Sequence, residues 1–206
     1  MNAPFRGAPL AAVLGTPIAG HGATIFVDCS ATGSVNGSSW LNAFTNVQSA
    51  IDAATDGDQV WIACGTYTPT SWPNGGTSAR EMHFSLKNGV SVYGGFAGGE
   101  TNLMQRDPAA HPTVLSGDLD SNDADLDHNG RTDPTTASNN AYHIVYHPSG
   151  LGLSNAAMLD GVTLRGGNAN GAYPHNQGGA IYNSYCSPVI LSCMIVDSVS
   201  GGGIWN

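Results

Sequence analysis

The sequence predicts an all-β solenoid, and three observations support this prediction. The motif GGAIYN at residues 178–183 returns as GGGIWN at residues 201–206, an offset of 23 residues. Repeats of this length, made of short apolar strands and glycine turns, are typical of stacked β-coils. The 28 glycines and the low charged fraction of 10% favour short strands joined by tight turns. The third observation is one amphipathic helix near the N-terminus. A sandwich or barrel is the alternative, but it requires neither the repeat nor this helix.

The predicted helix covers about residues 39–55 and is expected to cap the stack. Ser39 is a good N-cap residue. The apolar residues that follow it recur at spacings of three and four: Trp40, Leu41, Phe44, Val47, Ala50, Ile51 and Ala54. The turn Asp56-Gly57-Asp58 ends the pattern. A helix in a chain of strands is expected to cover the open end of the stack, where strand edges and core are otherwise exposed.

The remaining elements are short strands, predicted from β-branched, aromatic or alternating apolar runs that are bounded by turns. They cover residues 24–28, 59–67, 83–86, 90–93, 113–115, 141–147, 157–159, 162–164, 189–191 and 193–196. The dipeptide Gly94-Gly95 is expected to turn the chain away from the fourth of these strands.

The chain divides into a leader and one domain. Residues 1–23 contain one arginine and a short, broken apolar segment, which predicts a poorly ordered or signal-like leader. Residues 24–206 predict a single β-helix domain with an insertion at 116–140 and an incomplete last coil. The sequence has no apolar run long enough for a transmembrane helix, so no membrane span is predicted.

Several segments resemble bacterial right-handed parallel β-helix proteins that are secreted or held at the cell surface. Residues 25–67 resemble the N-terminal cap and first coil of that group, and residues 92–120 and 140–145 are similar to it as well. The GGAIYN and GGGIWN motifs are similar to repeats of the polymorphic outer-membrane proteins. The resemblance covers about residues 24–206. It implies a right-handed parallel β-helix, export to the surface or medium, and a role in adhesion or carbohydrate binding.

The stretch DLDSNDADLDHNGRTD at residues 118–133 predicts a calcium site. It holds six of the fifteen acidic residues. Its second part matches the first nine positions of a calcium loop of the EF-hand type, in which alternate residues of a curled loop turn their oxygens inward. The predicted ligands are Asp125, Asp127, Asn129, the backbone carbonyl of Arg131, and Asp133.

The calcium pattern is incomplete, because Thr136 stands where a bidentate glutamate is usual. Three upstream carboxylates are possible extra ligands: Asp118, Asp120 and Asp123. The alternative is a solvated acidic turn without metal. Six carboxylates in sixteen residues repel one another unless a cation or solvent screens them, which favours the calcium hypothesis.

No catalytic motif stands out in the sequence. His143 and His147 are expected on one face of the strand AYHIVYH, where they could act as acid and base, although a polar surface ladder explains them equally well. Arg165 and Arg106 are the arginines available to a β-helix lyase, in which calcium neutralises an acidic sugar and an arginine acts as base. Structural roles are favoured for both. The other histidines are scattered along the chain and form no pattern: His83, His111, His128 and His175.

Four cysteines occur without a CxxC pair, which argues against a structural zinc site. Cys29 and Cys64 each end a predicted strand and could form a disulfide across neighbouring coils, or remain free. Cys186 and Cys193 are expected to be free thiols that act as small apolar residues.

Two function hypotheses remain open. The first is an exported β-helix module with a calcium-binding loop, used for surface adhesion or carbohydrate binding. The alternative is a Ca²⁺-dependent enzyme, either a polysaccharide lyase or a hydrolase of ester, lactone or glycosidic bonds. The net charge of −9 disfavours nucleic acid as a partner. Unpaired edges of an end coil favour a homo-oligomer.

Overall fold

The structure, a computed structural model, describes residues 22–124, 133 and 135–206. The described residues form an all-β fold of parallel strands, with one short α-helix and three short 3-10 turns. The strands are β1 Thr24–Val27, β2 Gln59–Ala63, β3 Gly65–Tyr67, β4 Ser91–Phe96, β5 Thr113–Ser116, β6 Val145–His147, β7 Met158–Asp160, β8 Val162–Arg165, β9 Ile181–Asn183, β10 Val189–Leu191, β11 Met194–Val196 and β12 Ile204–Trp205. The helix α1 is Val47–Ala53, and the 3-10 turns are Ala79–Glu81, Leu103–Gln105 and Thr136–Asn139.

The strands form three sheets, and every pairing within them is parallel. The first sheet has the order β1-β2-β4-β7-β10, the second β3-β5-β8-β11 and the third β6-β9-β12. From β4 onward the chain enters the first, second and third sheets in turn, three times over. Each strand pairs with the strand three places earlier in this series. The two copies of the glycine motif are such neighbours, with Ile181 opposite Ile204 and Tyr182 opposite Trp205.

The core is built from columns of aliphatic side chains that lie at equivalent positions of successive strands. In the second sheet Leu115 lies opposite Leu164, and both are fully buried. In the third sheet Val145 lies opposite Ile181, and both of these side chains are fully buried as well. Burying a Val, Leu or Ile side chain contributes about 1.5–3 kcal/mol. These columns belong to one apolar cluster that holds the sheets together.

The predicted helix at residues 39–55 is wrong in its extent, because α1 begins only at Val47. Its N-cap is Asn46, whose side chain accepts a hydrogen bond from the Ser49 amide. Ser39 instead accepts from the Asn42 amide in a turn. Phe44 forms a parallel bridge with Val27, so its backbone hydrogen bonds are used at the edge of β1 and are lost to a helix. The short helix still packs on β1 and β2, with its apolar side buried.

Several predicted strand boundaries also differ from the structure. The strand predicted at 59–67 is two strands, β2 and β3, in different sheets, and the strand predicted at 141–147 begins only at Val145. The chain does not turn away at Gly94-Gly95; β4 continues to Phe96 with a bulge opposite Trp61–Ala63. Gly95 has φ +97°, a left-handed conformation that glycine adopts without strain, which lets the bulge form. Residues 83–86 contribute only a single bridge, Phe84 to Val145.

The four cysteines are free thiols. Cys29 and Cys64 are exposed, Cys186 is buried and Cys193 is half-buried. Within the described part of the chain, no helix is long and apolar enough to cross a membrane.

Candidate functional site

An aromatic column lies on the third sheet, on the side opposite the apolar core. Tyr146, Tyr182 and Trp205 occupy equivalent positions of β6, β9 and β12. Their neighbours Val145 and Ile181 are buried in the core, and side chains alternate along a strand, so these rings point outward. The ring centroids of Tyr146 and Tyr182 are 5.1 Å apart, and those of Tyr182 and Trp205 are 4.5 Å apart. Stacking across strands therefore orders the three rings as one column.

A cavity of about 170 Å³ opens at the Tyr146 end of this column. Three segments that are distant in sequence supply its walls: the loop after β3, the residues before β6, and the loop between β8 and β9. Its principal side chains are Asn74, Glu81, His83, His143, Tyr146 and His175. The lining thus combines convergent polar side chains with the apolar surface of Tyr146 and Pro174, and convergent polar groups of this kind orient a small ligand.

Hydrogen bonding fixes the protonation of His143. Its Nδ1 lies 3.0 Å from the carbonyl oxygen of Gly178, which only accepts, so Nδ1 carries the proton. Its Nε2 is then an acceptor, and it lies 3.1 Å from Nδ1 of His175. His175 therefore donates to His143. Burial lowers the pKa of His143 to about 4, so the imidazole is neutral at pH 7.

His175 is positioned from both sides. Besides its bond to His143, its ring stacks on Tyr142 at a centroid distance of 4.7 Å. The guanidinium carbon of Arg80 lies 4.1 Å from the centre of the Tyr142 ring, and the Arg80 side chain donates to backbone carbonyls of Asn140 and Asn168. Burial lowers the pKa of His175. No hydrogen bond to its Nε2 occurs among the described residues, so this atom can accept a proton from a ligand.

The remaining polar groups of the cavity have defined charge states. His83 donates from Nδ1 to the carbonyl oxygen of Glu81, at 2.7 Å, and burial lowers its pKa. The Glu81 carboxylate accepts from the Thr77 amide at 2.7 Å and from the Ser78 hydroxyl at 3.1 Å. The backbone bond from Thr77 is the main reason that the pKa of Glu81 is lowered. At pH 7 the cavity thus presents neutral imidazoles and one carboxylate.

A second cavity, of about 460 Å³, lies at the other end of the aromatic column. It is lined by Tyr173, Asn183, Ser184, Tyr185 and Trp205, together with smaller neighbours. Tyr182 lies beneath Tyr173, with 3.4 Å between the two hydroxyl oxygens. Burial raises the pKa of Tyr182 to about 12.

His147 lies apart from this cavity, although the sequence predicts it on the same face as His143. It is fully buried, and its Nε2 accepts from the Leu86 amide at 3.0 Å. Its Nδ1 must therefore carry the proton, which it donates to Asn183 Oδ1 at 2.6 Å. Burial lowers its pKa to about 4. With both ring nitrogens occupied, His147 is a structural residue.

Most of the predicted calcium ligands lie outside the described residues: Asp125, Asp127, Asn129 and Arg131. Gly117 and Ala141 are joined by a backbone hydrogen bond of 2.8 Å at the base of the loop. Of the described carboxylates, Asp118 accepts from the amides of Asn122 and Asp123, and Asp133 accepts from the amide and hydroxyl of Thr135. These two residues therefore stabilise turns within the loop.

Asp123 and Asp120 face the asparagines that close the loop. Asp120 accepts from the side-chain amides of Asn122 and Asn139. Asp123 Oδ2 accepts from Asn140 Nδ2 at 2.8 Å, while its Oδ1 is buried and has no hydrogen-bond partner in the described structure. Burial raises the pKa of Asp123. An unpartnered buried carboxylate oxygen is costly, and a hard cation is one partner that would satisfy it.

Neither candidate arginine lines the cavity at Tyr146. Arg106 pairs with Asp160 at 2.6 Å, with both side chains largely buried. Arg165 forms a weaker pair with Asp197 at 3.2 Å and lies beside Asp118 and Asp123. Arg106 thus joins a loop to β7, and Arg165 lies at the base of the acidic loop.

Sequence reasoning named His143 but missed the rest of the cavity. His83 and His175 lie in loops, and nothing in their local sequence distinguishes them from His111. For Tyr146 the sequence predicts only a place in the strand at residues 141–147. The recurrence of an aromatic residue before asparagine in the two glycine motifs was the available signal, because it places Tyr182 and Trp205 at one register position.

Comparison with known proteins identifies no relative: no family model, no curated protein and no solved structure matches this chain. Within residues 22–124, 133 and 135–206, no group of three or more His, Cys, Asp or Glu side chains is placed to hold a metal ion. The function must therefore be argued from the geometry of the two cavities and the acidic loop.

Proposed function

We propose that this chain is a right-handed parallel β-helix module of an exported bacterial protein, and that it binds carbohydrate. The observation that carries the proposal is the cavity at Tyr146, where an aromatic ring adjoins neutral imidazoles, an amide and a carboxylate. Sugar rings offer an apolar C–H face to an aromatic side chain and hydroxyls to donors and acceptors at its edge. The cavity supplies both kinds of contact.

The coil arrangement is supported by the order in which the chain enters the sheets. Repeated passage through first, second and third sheets, with every strand parallel to the one a turn earlier, is what a β-helix requires. Right-handedness follows from the rule that parallel crossover connections are right-handed. Export to the medium or cell surface rests on the family resemblance of residues 24–206.

Carbohydrate binding is tested by calorimetric titration of the chain with soluble gluco-, manno- and galacto-oligosaccharides. We expect at least one neutral series to bind. Tyr146→Ala should weaken that binding on the order of tenfold, since it removes the aromatic contact. The matched control is Met104→Ala, because Met104 is 87% exposed in the loop after β4 and should leave binding unchanged. Absence of heat with every sugar at millimolar concentration would refute the proposal.

The second candidate function is hydrolysis or elimination at the same cavity. The hydrogen bond from His175 to His143 favours it, because this bond leaves Nε2 of His175 free to accept a proton from water or a hydroxyl. Turnover of oligosaccharides, polygalacturonate and small esters, measured with and without EDTA, tests this candidate. His175→Gln should abolish any true turnover and leave sugar binding within a few-fold.

We also propose that the acidic loop binds calcium through Asp125, Asp127, Asn129, the carbonyl of Arg131 and Asp133, with upstream carboxylates completing the shell. The oxygen-only donor set fits this cation. Bound there, the ion would neutralise the loop and hold its shape. Titration of chelator-treated protein should show calcium binding, and the double change Asp125→Ala with Asp127→Ala should remove it. Asp52→Ala, on the exposed side of α1, is the matched control.

Self-association is the remaining proposal. Each of the strands β10, β11 and β12 lies at an edge of its sheet, and exposed apolar side chains accompany them: Leu191, Met194 and Ile204. Such edges pair readily with further strands, so we propose that they pair with a second copy. A single monomeric species in light scattering at high micromolar concentration would contradict this.

A further inference from the structure

We infer that the two cavities beside the third sheet are subsites of one groove, and that this groove takes a linear oligosaccharide of uncharged sugars. The inference rests on the carbohydrate-binding function proposed above. It adds the length and the charge of the ligand, neither of which follows from the first cavity alone.

The aromatic column joins the two cavities. Tyr146 lines the first and Trp205 lines the second, with Tyr182 between them in register. The outer two rings are two strand spacings apart, about 10 Å. A single sugar ring cannot contact both, whereas a short chain that runs across the strands can.

The segment between the cavities presents an exposed ring to such a chain. Pro174 and His175 line the first cavity, and the adjacent Tyr173 lines the second. Tyr173 is 68% exposed, while Tyr182 beneath it is only 2% exposed. The surface path from one cavity to the other therefore crosses the Tyr173 ring, which replaces Tyr182 as the accessible middle platform.

The charge of the groove selects the ligand. Among the described residues that line the two cavities, Glu81 is the one carboxylate, and none is lysine or arginine. The histidines are neutral at pH 7, because burial lowers the pKa of His83, His143 and His175. The described lining residues thus include no cation to balance a polyuronate, the nearby Arg80 is held against Tyr142 and two backbone carbonyls, and Glu81 repels a polyuronate. Uncharged sugars are therefore the class that fits.

The test compares a disaccharide with a hexasaccharide of each neutral series, and both with oligogalacturonate, by calorimetry at pH 7.5. We expect the hexasaccharide to bind at least tenfold more tightly than the disaccharide, which occupies the first cavity alone. Trp205→Ala should reduce hexasaccharide affinity to that of the disaccharide. Tyr185→Ser is a second variant with the same expected direction, and it cannot disturb folding greatly because Tyr185 is 92% exposed. Met104→Ala again serves as the unchanged control.

Each outcome decides the matter. The single groove is overturned if the disaccharide and the hexasaccharide bind with equal affinity. It is also overturned if the Trp205 and Tyr185 variants lose the same affinity for both sugars. Either result leaves carbohydrate binding intact. If oligogalacturonate binds more tightly than every neutral hexasaccharide, the inference that the groove takes uncharged sugars is overturned. Failure of all sugars of either length to bind removes the proposed function and this inference together.

Discussion

We expect His147 to make a pH-dependent contribution to the free energy of unfolding. The variant His147→Leu allows this contribution to be measured. The substitution keeps an apolar side chain of similar size but deletes both hydrogen bonds of the ring. It leaves the Leu86 amide and Asn183 Oδ1 buried without partners. Each such group costs about 1–3 kcal/mol, so the variant should lose about 2–6 kcal/mol of unfolding free energy at pH 7.5.

The pH dependence follows from the pKa of His147. In the unfolded chain this pKa is about 6.5, and in the folded chain burial lowers it to about 4. Between these values the unfolded state takes up a proton that the folded state does not. Stability from this group is therefore lost as the pH falls below about 6.5, and the loss is complete near pH 4. By pH 5 the native protein should have lost about 2 kcal/mol through His147, which the leucine variant cannot lose.

Urea unfolding at pH 7.5 and pH 5, followed by tryptophan fluorescence, measures both effects. The gap in free energy of unfolding between native protein and His147→Leu should narrow by about 2 kcal/mol at the lower pH. His111→Leu is the matched control, because His111 is a half-buried loop residue whose ring has no hydrogen bond in the described structure. The reasoning would be refuted if the difference in free energy of unfolding between native protein and His147→Leu did not change with pH. A difference below about 1 kcal/mol at pH 7.5 would also refute it.

Two further predictions concern the packing of the sheets. Leu164→Ala, in the middle of the second sheet, should lower the free energy of unfolding by about 2–5 kcal/mol, because Leu164 is fully buried between Leu115 and Ile195. Urea unfolding measures this loss. Met104→Ala is the control, and its free energy of unfolding should change little. Arg106→Met should cost about 3–5 kcal/mol by leaving Asp160 buried without its partner, and adding Asp160→Asn should restore part of that loss. A double variant no more stable than Arg106→Met would show that the ion pair does not carry the effect.

Local patterns in the sequence were sufficient for the class of fold but not for all its boundaries. Alternation and turn residues predicted β1, β5 and β8 to within one residue at each end, whereas the single strand predicted at 59–67 is two strands, β2 and β3, in different sheets. The predicted helix is wrong at its start, because Trp40 and Phe44 have helical spacing yet pack in two different apolar clusters. The Trp40 ring packs with the rings of Phe26, Trp61 and Phe96, and its centroid lies 4.7 Å from that of Phe26. The Phe44 backbone instead bonds to the edge of β1. Spacing records which residues are apolar, not which neighbour each one will contact.

The sequence by itself determined that strands stack in parallel, since the 23-residue repeat is the register offset between Ile181 and Ile204. It also determined the acidic loop and the clustering of its carboxylates. Only the tertiary structure decided which polar residues share a cavity. His83, Tyr146 and His175 are separated by dozens of residues, and the parallel pairing of strands distant in sequence brings their segments together. It likewise separated His147 from His143, because His147 lies within β6 and bonds to Leu86 and Asn183, whereas His143 precedes β6 and lines the cavity.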